Sequence, residues 1–140
     1  MASEARINYS LSITKGSLKH RSSRGFNADV SGQKGPVPGA ITVPLTGVDV
    51  DLSQLTVPGI VELTNLDDTN FFEFGIYDPD TGAFYPLGEV LAGESYPLRL
   101  SRNLQEQYAG TGTAGGGETA RLRLMANGAA LNAYVGAFEA

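Results

Sequence analysis

Cysteine and tryptophan are both missing from these 140 residues, and histidine occurs once. Without cysteine there is no disulfide framework, no thiolate metal site and no cysteine nucleophile. The lone His20 leaves too few ligands for a zinc site. It lies in the basic run KHRSSR with no acid close by in sequence, so a Ser–His nucleophile system has nothing local to orient it. Long apolar runs are also lacking. None approaches the ~18 residues that a membrane span needs, so no membrane partner is expected. The opening MASEARINYS has neither a charged n-region nor an apolar h-region, and no signal peptide is expected.

What is present points to β-structure. Hydrophobic residues make up 41% of the chain and charged residues 18%, alongside 18 glycines and seven prolines. A chain with that much apolar content folds, and that much Gly and Pro makes it turn often. The length suits a single domain, residues 1–140. The hydrophobic period is two almost throughout. Ile7, Tyr9, Leu11 and Ile13 alternate with polar residues, and Phe26, Ala28 and Val30 resume the pattern. Ile41, Val43 and Leu45 predict one strand, and Val48, Val50 and Leu52 its neighbour. Residues 60–66, then Phe72, Phe74 and Ile76, form the apolar middle. Residues 83–87, 96–100, 121–125 and 131–137 supply the remaining strands.

Turn chemistry separates these runs. NLDDTN (65–70) and DPDTG (78–82) have side chains suited to bonding back to the backbone. Asn127-Gly128 between two alternating runs predicts a hairpin, since a type I′ turn needs positive φ at both central residues. SRNLQEQYAG (101–110) has room for a short helix or 3₁₀ turn, and residues 109–119 predict a flexible Gly-rich loop. The fold class expected is all-β: a jelly-roll-like sandwich or small barrel of about eight to ten short antiparallel strands.

Two residue patterns raise the question of a second apolar surface. Phe71 and Phe72 are adjacent, so they point to opposite faces of their strand. Tyr134 and Phe138 alternate against Leu131, Val135 and Ala137 on the last one. Apolar groups on both sides require cover by another sheet or another subunit.

Charge is unevenly placed. Residues 1–34, a basic N-terminal strand and loop, carry six cations against two acids; residues 35–140 carry four arginines against thirteen acids. The segment GSLKHRSSRG (16–25) reads as an exposed basic loop or hairpin tip. Lys15, Lys19, Arg21 and Arg24 are the candidate partner-binding residues, suited to an acidic protein surface. Nucleic acid is not the expected partner: the net charge is −5, and no aromatics interleave with the basic run.

Catalytic and cofactor signatures are not found. The run Asp49-Val-Asp51-Leu-Ser53 has the spacing of a calcium loop but lacks its glycine and distal glutamate. TAGGG (113–117) lacks the Gly-Lys-Ser/Thr ending of a phosphate loop. The expectation is no catalytic residue, no metal, no cofactor, and a protein that works by binding other proteins.

Several stretches together are similar to a family of small structural proteins of tailed bacteriophages. They are PGIVELTNLDDTN (58–70), FEFGI (72–76), GAFYPL (82–87), LAGE (91–94), PLRL (97–100) and MAN (125–127), with YSLSITKGSL (9–18) as the opening. The segment 101–119 is longer than the family pattern. The resemblance is closest to capsid cement or decoration proteins. It implies a non-enzymatic virion component, assembled in the host cytoplasm, that binds the major capsid protein as a homo-oligomer, dimer or trimer. A tail, baseplate or head-fibre component is the first alternative, and a carbohydrate-binding β-sandwich module the second.

Overall fold

A computed structural model describes residues 4–101 and 120–139. The expected loop at 109–119, and nearly all of the helix or turn expected at 101–110, lie outside these residues. Among the described residues there are ten strands and no helix. They are β1 (Ala5–Lys15), β2 (Leu18–Ala28), β3 (Val37–Val43), β4 (Val48–Asp49), β5 (Pro58–Asn65), β6 (Phe71–Asp78), β7 (Ala83–Val90), β8 (Ser95–Arg99), β9 (Arg121–Asn127) and β10 (Leu131–Glu139).

β1 and β2 form a separate two-stranded sheet, and the rest form two four-stranded sheets ordered β3-β10-β5-β8 and β4-β9-β6-β7. The pairs β3 with β10, β4 with β9, β5 with β8 and β6 with β7 nest around the turn after Asp78. One long hairpin has therefore been rolled over on itself, which is the jelly-roll topology. The small-barrel alternative does not hold, because both sheets are open. Their edges explain why. β3, β8 and β7 carry Pro38, Pro97 and Pro86, which have no N–H to extend a ladder. β4 is only two residues long, flanked by single bonds from Val50 N to the Leu122 carbonyl and from Ala126 N to the Pro44 carbonyl.

The core lies between the sheets. Val43, Val50, Leu52, Val61, Leu63, Phe72, Val90, Leu124 and Val135 are fully buried there. Period-two alternation puts them there: on β9, Leu122, Leu124 and Ala126 face inward while Arg121, Arg123 and Met125 face out. Of the adjacent phenylalanines, Phe72 enters the core and Phe71 stays half-buried on the outer face. The second apolar side of β10 is covered in part from within the chain, and not by a sheet. The connector between β2 and β3 lies across it. A Cβ on Gly35 would stand 2.6 Å from both the Ala137 carbonyl and the Phe138 ring, so only glycine permits this approach; the Tyr134 ring and Pro36 both pack against Gly136. Buried Glu139 accepts from Thr56 N at 2.8 Å, and its other carboxylate oxygen lies against Gly32.

The turns divide into two kinds. DPDTG is a hairpin between β6 and β7, with Gly82 at φ 72° and its N–H donating to the Asp78 carbonyl at 2.8 Å. Asn127-Gly128 is not a hairpin. β9 and β10 lie in different sheets, so this turn crosses the core. A two-residue turn joins strands ~4.8 Å apart, whereas facing sheets are ~10 Å apart. Burial of Leu131 on the far sheet overrides the local signal.

Candidate functional site

The basic amino-terminal segment is an arm. β1 and β2 pair through eleven unbroken positions, from Ala5 opposite Ala28 to Lys15 opposite Leu18. Of the exposed loop or hairpin tip expected over 16–25, the hairpin holds and the loop does not: only Gly16, at φ 57°, and Ser17 form the tip, and the rest is strand. Over 18–25 the strand leaves no signal in the sequence because it buries neither face there, so nothing obliges its residues to alternate. From Asn8 to Asn27 every residue except Ser22 is exposed. At its base the two ends of the arm are tied together by the Val30 N–H, which donates to Glu4 Oε2 at 3.2 Å, and Ala28 is buried.

Cross-strand partners share a side of a two-stranded ladder. One side of the arm therefore carries Ile7 with Phe26, Tyr9 with Arg24, Leu11 with Ser22, Ile13 with His20 and Lys15 with Leu18. The other side carries Arg6 with Asn27, Ser12 with Arg21 and Thr14 with Lys19. Arg6 donates to Asn27 Oδ1 at 3.0 Å. The four candidate cations do not converge. Lys19 and Arg21 join Arg6 on the polar side, while Lys15 and Arg24 flank the apolar one. In the sequence they look like one group, because Lys19, Arg21 and Arg24 fall within the stretch expected as a loop, where no pleat separates odd from even positions.

The electrostatics of the arm are one-signed. Residues 5–28 hold five cations and no acid; residues 29–140 hold fourteen acids against five cations. None of Lys15, Lys19, Arg21 and Arg24 forms an ion pair among the described residues, where the pairs are Arg123 with Asp49 at 2.7 Å and Arg121 with Asp49 at 3.7 Å. Two concavities lie along the arm. Near the base, Ile7, Tyr9, Leu11 and Phe26 face Tyr96, Pro97 and Leu98 across an apolar cleft of about 580 Å³. Near the tip, Ser12, Ile13, Lys19, His20 and Arg21 border a shallow basic hollow of about 350 Å³.

The acidic turns are occupied by their own backbone. Asp67 accepts from the N–H groups of Asn70 at 2.6 Å and Thr69 at 2.7 Å, which holds its carboxyl below the usual value. Ser53 does the same for Asp51, first through its hydroxyl at 2.6 Å and then its N–H at 3.0 Å. Asp78 takes Asp80 N and the Thr81 hydroxyl, each at 3.0 Å. No group of three or more metal-ligating side chains occurs among the described residues. Asp49 ties the short β4 to Arg123, whose guanidinium lies 3.3 Å over the Tyr77 ring on the outer sheet face. Jelly rolls serve capsid shells and lectins alike, so the fold does not choose a function; the exposed arm is the feature that asks for a partner. No family model, curated protein or solved structure matches the chain.

Proposed function

We propose that this chain is a non-enzymatic capsid cement protein of a tailed bacteriophage, gripping the major capsid shell with its basic β-arm. The observation that carries the reading is the arm itself: eleven paired positions with no acid, exposed along nearly all their length, and a basic tip that forms no ion pair among the described residues. Cementing a shell requires reach and surface area more than a pocket. An arm of eleven pairs extends about 35 Å at ~3.3 Å per residue. Lys19 and Arg21, on the polar side, meet an acidic patch of the shell, while the proline-edged sandwich stays out of unwanted edge pairing. The resemblance of 58–70 and the shorter stretches to phage structural proteins supports the same assignment.

Mixing the purified protein with phage heads that lack it, and counting bound copies, tests this. Saturable binding at a stoichiometry on the order of hundreds per head is expected, the copy number of a shell-covering protein whose contacts repeat across the lattice. Recovery at the tail tip in a few copies would transfer the reading to a tail or baseplate role.

A further inference from the structure

The arm has two sides, and the polar one alone does not explain why the other is apolar. Tyr9, Leu11, Ile13, Leu18 and Phe26 are all exposed on that side, Leu18 to 59%. A lone two-stranded ribbon is marginally stable in water, so a face like this calls for cover. The body covers its base incompletely, across the cleft to Tyr96 and Leu98, and Ile13 and Leu18 lie beyond that cleft.

The same chain displays a matching surface. β7 and β8 are the free edges of the two sheets on one flank, joined by the turn at 91–94. On β7 and that turn Tyr85, Leu87 and Leu91 are exposed, Leu87 to 71%. Between residues 78 and 99 stand Asp78, Asp80, Glu89 and Glu94 against Arg99 alone. Exposed apolar side chains among carboxylates on this flank thus complement the arm's apolar side, which carries Lys15 and Arg24. Pro86 blocks ladder formation at that edge, so the contact is made by side chains.

We infer that the occupant of the arm's apolar side is a second copy of this chain: each arm lies over the β7 flank of its neighbour. The area is sufficient. A ribbon ~35 Å long and ~10 Å wide buries ~700 Å² counting both surfaces, and two reciprocal arms bury ~1,400 Å², within the ~1,600 ± 400 Å² of a stable dimer. The inference uses only this chain and stands whether or not the shell is the outer partner.

The absence of cysteine makes a clean test. One population carries Ile13→Cys and another Leu87→Cys; they are mixed under mild oxidation while sedimentation follows the unsubstituted chain. A disulfide-linked pair joining the two populations is expected, with an oligomer that weakens as salt is raised. The double variant Leu11→Asp with Ile13→Asp should dissociate at least ~10-fold more readily, with its far-UV circular dichroism retained. A chain that stays monomeric at ~100 μM would overturn the inference. So would an oligomer indifferent to the aspartates, or one cross-linked only between two Ile13→Cys copies, which would place arm against arm.

Discussion

The arm and the sandwich are antiparallel β-structure from one chain, yet each is governed by a different half of the physics. In the sandwich every long edge strand carries a proline, the inner faces are apolar and buried, and the polar side chains in the turns are used up by the backbone. In the arm no proline interrupts 24 residues, neither face is buried, and the cations form no ion pair among the described residues. Burial dictates the first region residue by residue. Backbone pairing does most to maintain the second, which leaves most of its side chains free to suit a partner. A surface kept this open costs stability, and a binding partner offsets that cost.

The contrast is broken most severely at the core. Phe72→Ala, in the fully buried centre, should cost ~3–5 kcal/mol in urea unfolding, whereas Leu11→Ala on the arm should stay within about 0.5 kcal/mol. Comparable losses at the two positions would mean the arm is part of the core. Next comes Asn65, buried where the sheets meet. Its Nδ2 donates to the carbonyls of Asn70 at 2.9 Å and Val90 at 3.0 Å, and its Oδ1 accepts from Asp67 N at 2.9 Å. Asn65→Ala orphans all three groups and should lower stability by ~2–3 kcal/mol, read from the thermal midpoint.

On the arm, charge reversal separates the two sides. Lys19→Glu with Arg21→Glu should weaken head binding several-fold at low salt, converging with the unsubstituted protein as salt rises, while self-association is unchanged. Lys15→Glu with Arg24→Glu should do the reverse. Equal effects from both pairs would mean the pleat does not sort the arm's contacts. The smallest effect belongs to an exposed turn. The Asp67 carboxyl is held low by the Asn70 and Thr69 amides, so the folded chain stays deprotonated where the unfolded chain takes up a proton. Its contribution is complete at neutral pH and is lost as the pH falls below about 4. Asp67→Asn should therefore flatten the acid limb of the stability–pH curve, with a small loss of stability at pH 7 that disappears at low pH.

Legibility in the sequence followed burial. β9 could be read at sight because Leu122, Leu124 and Ala126 must face the core and Arg121 and Arg123 must not. The turns at 65–70 and 78–82 were equally plain, since aspartate and asparagine satisfy local amides with no help from distant residues. β2 was illegible for the opposite reason: in LKHRSSRG no side chain has to be hidden. Asn127-Gly128 misled because a turn signal specifies a local bend and not the sheet to which the next strand goes.

Period-two patterning and turn residues determined on their own that this chain would be all-β, with a core built from alternate residues and a basic amino-terminal segment. Tertiary structure decided the rest. It set the nesting of β3 to β10 into a jelly roll, the covering of β10 by the connector at Gly35, and the sorting of Lys19 and Arg21 from Lys15 and Arg24. The reason lies in range: alternation and turn propensity act over a few residues, whereas strand order and register are fixed by which distant surfaces exclude water together.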